Sequence, residues 1–286
     1  TGITPRMFQY NVMKRAKSAK KRIILPEGMD ECILMATKKL IDADAVKITL
    51  LGDPKQVKAK IAELAIGLKI KSIDIIDSKK SSHFVDYATT LYELRKHKNV
   101  NLAMAKYLRE DVSYFGTMMV YTGHADGMVS GAVHTTQHTI RPALQFIETR
   151  PDVSIVSSVF FICLPNRVTV FGDCAINPNP SAEQLAEIAI SSAKSAEDFG
   201  VEAKVAMLSY SSGASGKGED VERVREATEI VKKQAPHIKI EGPIQYDAAV
   251  DMRIGQSKLP DSEVAGQASV LIFPDLNTGN NTYKAV

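Results

Sequence analysis

Tryptophan is absent from the 286 residues, cysteine occurs three times, and aromatic residues make up only 6%. Cys32, Cys163 and Cys174 share no Cys-x-x-Cys spacing and are odd in number. That argues against a disulfide framework or a zinc cluster and predicts a reducing, cytoplasmic setting. No apolar run approaches the roughly 18 residues that span a bilayer, so a soluble protein without a membrane partner is expected. Charge of one sign is also lacking: 36 basic against 33 acidic side chains leave a net charge of +3, too small a bias to argue for a nucleic-acid partner. The densest basic run, Lys14, Arg15, Lys17, Lys20, Lys21 and Arg22, reads as the solvated face of one helix. The opening "TGITPRMFQYNVMKR" carries no secretory or lipidation signal and no initiating Met, from which a cut out of a longer chain is expected.

What is present is ordinary globular composition, 44% hydrophobic and 24% charged, at a length that favours two domains sharing a cleft. "KRIILPE" (21–27), "AVKITLLGD" (45–53) and "SIDIID" (72–77) read as buried parallel strands, alternating with amphipathic helices in a βαβαβ order. Helical spacing continues through "SHFVDYATTLYELRKHK" and "NLAMAKYLRE", and a strand "ADGMVSG" then runs into a polar loop. Beyond Arg150-Pro151, "VSIVSSVFFICLP" and "RVTVFGDCAI" predict an antiparallel hairpin turning at Pro165-Asn166. Ser181 and Gln184 form a capping-box pair at the head of a helix closed by Gly200. Strands at "AKVAMLSYS", "IKIEG" and "ASVLIFPD" alternate with helices at "VERVREATEIVKKQA" and "QYDAAVDMRIGQ". The expected fold is therefore two α/β domains with a cleft between them, residues 1–142 and 143–286. The cleft is the expected binding site, lined by polar loops at 130–141, 173–180, 209–218, 242–247 and 274–281.

The stretch "SGAVHTTQHTIRP" (130–142) sets His134 and His138 four apart, which raises a metal reading. A zinc-protease arrangement needs a Glu beside the first His, where Thr135 stands, and no third ligand is near. Hydrogen-bonded loop histidines fit as well. An anion reading is stronger: Ser130-Gly131 after a strand offers unpaired N–H groups, Thr135, Thr136 and Thr139 add hydroxyls, and Arg141 can contact phosphate in bidentate fashion near the start of the helix "PALQFIET". "SSGASGKGED" lacks the earlier Gly and the Ser or Thr of a nucleotide phosphate loop, and Gly-x-Gly-x-x-Gly is absent. "FPDLNTGNNTYK" is more polar than a turn demands, although Asn and Gly also form turns. Cys163 reads as core and Cys174 as nearer the surface, with no partner base for either.

Together, "LPEG" (25–28), "YELRKHK" (92–98), "DGMVSGAVHTTQHTIRPALQ" (126–145), "GDCAINPNPSAEQLAEIAI" (172–190), "VAMLSYSS" (205–212), "GPIQYDAA" (242–249) and "VAGQASVLIFPDLNTGNNTYKAV" (264–286) resemble the phosphate acetyltransferase family in order and spacing over nearly the whole chain. The resemblance implies reversible acetyl transfer between acetyl-CoA and inorganic phosphate, giving acetyl phosphate and CoA by direct attack without an acyl-enzyme. It implies no metal and no cofactor beyond coenzyme A as substrate, a homodimer, and a fold similar to isocitrate and isopropylmalate dehydrogenases. It associates Arg95 and Arg141 with the anionic groups of coenzyme A. Ser130, Gly131, Thr135, Thr136, Tyr210, Ser211, Gly213, Asn277, Gly279 and Asn280 are its candidate substrate-binding residues.

The family continues beyond a Tyr-Lys-Ala-Val run with an Asn-Asp-Leu-Ser-Arg-Gly motif, so its catalytic serine, arginine and aspartate are expected past Val286, and this chain is expected to turn over weakly. Cys32 stands where many relatives carry an arginine. A non-catalytic acetyl-CoA-sensing domain is the alternative expectation. A dehydrogenase of the same broad fold would need an aspartate metal cluster that the sequence does not offer.

Overall fold

The computed structural model describes residues 2–96, 108 and 110–286. A first helix, α1 (Pro5–Ala19), precedes β1 (Arg22–Leu25), α2 (Glu31–Asp42), β2 (Lys47–Leu51), α3 (Pro54–Leu64) and β3 (Asp74–Ile76). Local chemistry sets these boundaries. The Asp30 carboxylate accepts from the Ile33 N–H at the head of α2. Asp53 caps α3, where Pro54 occupies a first-turn position whose N–H has no helical partner anyway. Next come α4 (Phe84–Arg95), α5 (Val112–Tyr121), β4 (Gly127–Met128) and α6 (Thr136–Phe146). All four strands are parallel in the order β3-β2-β1-β4, so the progression reverses between β1 and β4. Ile48, Leu50, Val57 and Ile61 fill one face of this sheet, and Tyr87, Leu91, Phe115 and Met118 the other.

The βαβαβ expectation holds, but the strand expected over 125–131 shrinks to two residues. From Gly131 onward the backbone N–H groups turn to a side chain and leave no ladder to extend. The helix expected at "NLAMAKYLRE" lies outside the described residues except for Leu108 and Glu110.

The later sequence builds a second sheet from β5 (Phe160–Leu164), β6 (Arg167–Gly172), β7 (Lys204–Leu208), β8 (Lys239–Ile244) and β9 (Val270–Ile272), in the order β5-β6-β9-β7-β8. The hairpin at Pro165-Asn166 forms as expected, antiparallel with Leu164 opposite Arg167. Only the last part of the expected first hairpin strand is extended in the sheet. Its earlier residues are held by side chains, with Ser154 donating to Glu187 and Asn177 Nδ2 to the Val156 carbonyl. The helices are α7 (Ala182–Asp198), α8 (Glu219–Gln234), α9 (Tyr246–Val250), α10 (Met252–Lys258) and α11 (Leu276–Ala285). The capping box of Ser181 and Gln184 is present on α7. The single helix expected over 245–256 divides at Asp251, whose carboxylate accepts from the Ile254 N–H and starts a new helix. The loop expected over 274–281 is mostly helix, because Asp275 caps α11 through the Thr278 N–H and overrides the weak propensity of Asn, Thr and Gly.

Contacts group residues 13–148 as one unit, and residues 1–12 with 149–286 as another. Helix α6 runs unbroken across residue 142. Phe8 of α1 stacks on Phe161 of β5 at 5.2 Å, and the Val168 N–H donates to the Ile3 carbonyl, which ties the N-terminal segment to the second sheet. Among the described residues no helix is long and apolar enough to cross a membrane.

Replacing Ser181 by Ala removes one half of the α7 capping box and is expected to destabilise the protein by about 1 kcal/mol. Urea unfolding of the two proteins checks this, and the ligand affinities of the variant are expected to match the parent.

Candidate functional site

Glu27 follows β1, and residues 130–134 follow its parallel neighbour β4, so both lie at the carboxyl ends of adjacent strands where the strand order reverses. Ligands of open α/β sheets bind at such points. The Glu27 carboxylate collects six donors. Oε1 accepts from Ser130 Oγ (3.2 Å), Gly131 N (2.8 Å) and Ala132 N (2.9 Å). Oε2 accepts from Val133 N (2.6 Å) and His134 N (2.8 Å), and pairs with His134 Nδ1 at 3.0 Å. Gly131 makes this row possible with φ +124, a value that L side chains rarely adopt. Glu27 is 6% exposed. Burial pushes its carboxyl upward, but the backbone hydrogen bonds from His134, Gly131, Val133 and Ala132 outweigh burial and hold it at about 2.

This corrects one expectation. The N–H groups after Ser130 are not unpaired, because an acid more than a hundred residues earlier in sequence already fills the cradle. The metal reading of the two histidines meets the same kind of obstacle. The rings stack at 4.8 Å, His134 pairs with Glu27, and His138 Nε2 lies 2.9 Å from Asp111 Oδ2. Among the described residues no group of three or more His, Cys, Asp or Glu is placed to hold a metal ion.

Thr135 caps α6 by accepting from the His138 N–H, and Thr136 is the first helical residue, exposed to solvent. Arg141 is also exposed, but it sits well inside α6, not near the start of a helix, and Pro142 lies within the same helix. At this interior position Pro142 forgoes the bond to the His138 carbonyl, and its ring crowds that carbonyl as well. Arg95, at the end of α4, donates from Nη1 to the Gln145 carbonyl at 3.3 Å, and its buried Nε has no partner among the described residues. That carbonyl belongs to the last turn of α6, the negative end of the helix dipole. The structure therefore brings Ser130 and Gly131 together around Glu27, and puts Thr136, Arg141 and the partner of Arg95 on a single helix.

In the other unit Asp173 follows β6 and is 3% exposed. It repeats the arrangement, accepting from the N–H groups of Ala175 (3.0 Å), Ile176 (3.1 Å) and Asn177 (2.8 Å) and from Ser158 Oγ and Asn177 Nδ2 (both 2.5 Å). Helix α11 packs closely against it: a Cβ on Gly279 would lie 2.7 Å from the Asp173 carbonyl oxygen, and Asn280 Nδ2 donates to the Cys174 carbonyl. Asn277 is exposed, and its carbonyl accepts from Asn281. Ser211 is buried with its hydroxyl on Ser215, while Gly213 takes φ +61 and donates to the Pro243 carbonyl.

Tyr210 is 62% exposed and lines a cavity of about 450 Å³ at the carboxyl ends of β7 and β9, together with Tyr246, Phe273, Asp275, Thr278 and Thr282. Thr278 lies in the polar stretch 274–281 expected to line the site, whereas Thr282 was not anticipated. Their spacing of four marks one face only once 276–285 is known to be helix. Both cysteine expectations are reversed: Cys163 is exposed on the edge strand β5, and Cys174 is buried. Burial, aided by the neighbouring Asp173 charge, pushes the Cys174 thiol up to about 12, which removes it as a nucleophile.

These features define an α/β protein with anion-handling loops at strand ends. The family described as phosphate acetyl/butaryl transferase matches residues 7–286. A phosphate acetyltransferase of Synechocystis is 57% identical over 285 residues, covering 100% of this chain and 41% of that protein. The phosphate acetyltransferase of Corynebacterium glutamicum is 49% identical over 278 residues, covering 97% of this chain and 84% of that one. A crystal structure of a phosphotransacetylase from Streptococcus pyogenes superposes with a TM-score of 0.90 at 40% identity, covering 99% of this chain and 85% of that one. The chain belongs to the phosphate acetyl/butaryl transferase family. It spans about two fifths of the length of its Synechocystis relative.

Because Glu27 titrates near 2 in the folded protein and near 4.5 when unfolded, its contribution is complete above pH 4.5 and is lost as the pH falls through 2. The shift corresponds to on the order of 3 kcal/mol. Unfolding free energies measured from pH 6 down to pH 2 are expected to fall more steeply for the parent than for Glu27→Gln. Parallel curves would contradict the assignment.

Proposed function

We propose that this chain binds coenzyme A and phosphate or acetyl phosphate and supports reversible acetyl transfer between them. The observation that carries the reading is membership of the family over residues 7–286, with curated relatives that bear the name phosphate acetyltransferase. In the direction of thioester synthesis, the coenzyme A thiol, with an ordinary pKa of about 8.5, gives up its proton to a base. The thiolate sulfur then attacks the acetyl carbonyl carbon, and the C–O bond to phosphate breaks as phosphate leaves with the electron pair. No acyl-enzyme and no cofactor beyond coenzyme A is required.

Both substrates are polyanions, so the protein's task is charge neutralisation and positioning. Glu27 already uses the loop N–H groups at 131–134, which leaves hydroxyls and guanidinium groups as the donors for ligand anions. We assign anion binding in one unit to Thr135, Thr136, Arg95 and Arg141, with Ser130, whose hydroxyl donates to Glu27, holding the loop beside them. In the other we assign ligand contacts to Tyr210, Ser211, Gly213, Asn277, Gly279 and Asn280. A homodimer working in the cytoplasm completes the proposal.

Thioester formation from acetyl phosphate and coenzyme A tests the reaction. Acetyl-CoA binding by calorimetry without turnover would favour a sensing domain instead. Loss of a charge-assisted contact costs about 1.5–3 kcal/mol, so Arg141→Ala is expected to raise the KM for coenzyme A roughly 10- to 100-fold. Arg141 is exposed, so the melting temperature is expected to hold. An unchanged KM would remove Arg141 from the site.

A further inference from the structure

Glu27 takes no part in the chemistry set out above, yet six donors converge on it. A carboxylate offers about four lone-pair positions, so this one has no capacity left to accept a substrate proton or bind a cation. Four of its donors are consecutive backbone N–H groups, from Gly131 to His134, and the next residue, Thr135, is the cap of α6. The carboxylate therefore joins the carboxyl end of β1 to the segment that carries β4 into α6. Take it away and four N–H groups in a row lose their partner, which is the composition of an anion cradle.

We propose that Glu27 is a positioning residue. It acts as a resident anion that fixes residues 130–134 and thereby sets where α6 begins and how Thr136 and Arg141 are presented to the anionic groups of coenzyme A. The inference rests on the reading that this helix binds coenzyme A. It opposes the alternative in which the loop N–H groups are the ligand's own cradle and Glu27 only blocks them.

The two alternatives predict opposite signs for one substitution. Glu27→Gln keeps the shape, removes the charge and turns an NH₂ group toward the row of N–H donors. Under the proposal, amide hydrogens of residues 131–134 exchange at least about tenfold faster in the variant, and the KM and dissociation constant for coenzyme A rise by about tenfold or more, equivalent to 1.4 kcal/mol. The turnover number falls by less than KM rises, a split that general loss of folded protein does not produce. Tighter binding of coenzyme A or inorganic phosphate by Glu27→Gln would overturn the proposal in favour of the blocking alternative. Unchanged exchange or unchanged affinity would also overturn it.

If Glu27→Gln fails to fold, Glu27→Asp, which keeps the charge at shorter reach, is measured instead. Faster exchange at 131–134 with weaker coenzyme A affinity supports the proposal, and parent-like values overturn it. The parent protein separates the two readings: absence of thioester formation there counts against acetyl transfer, whereas the exchange rates report the hold of Glu27 on the loop without turnover.

Discussion

A buried carboxylate that gathers consecutive backbone N–H groups organises each unit of this protein. Glu27 does so after β1 and Asp173 after β6, each at the carboxyl end of a strand in a parallel array. An isolated buried charge would be costly, and leaving several loop N–H groups unpaired would be costly as well. Together the two problems cancel, since each is the partner the other lacks. The outcome is a polar loop pinned by hydrogen bonds at the carboxyl ends of the strands.

That solution changes the electrostatics of the candidate site. A glycine-containing loop after a strand invites comparison with phosphate loops, in which backbone N–H groups meet the ligand. Here the donors of residues 131–134 are occupied from within, and Gly131 serves the turn around Glu27. Under the proposed function ligand charge is then left to side chains, Arg141 on α6 and Arg95 at the end of α4 among them. The stacked histidines belong to the same economy: each faces a carboxylate, Glu27 or Asp111, and Asp111 in turn caps α5 through the Ser113 N–H.

Much of the framework was legible because it rests on local chemistry. Short β-branched and apolar runs located the strands, the Ser181 and Gln184 pair located α7, and Pro165-Asn166 located the hairpin. The misreadings share a cause. Residues 274–281 looked like a loop because Asn, Thr and Gly are weak helix formers, yet Gly279 is required where α11 lies close to the Asp173 backbone. Cys163 and Cys174 exchanged places because an edge strand exposes one of its faces, and edge position is a property of strand order.

The sequence by itself determined the class of fold, the alternation of strands and helices, the family, and the stretches that carry polar loops, since all of these depend on neighbours within a few residues or on extended likeness. Tertiary structure alone decided the partners. That Glu27 closes the loop at 130–134, that Asp111 meets His138, and that Tyr210 shares a cavity with Thr278 and Thr282 each depend on strand order bringing distant segments side by side. Hydrogen bonds and cavities form between residues close in space, and no spacing along the chain records that closeness.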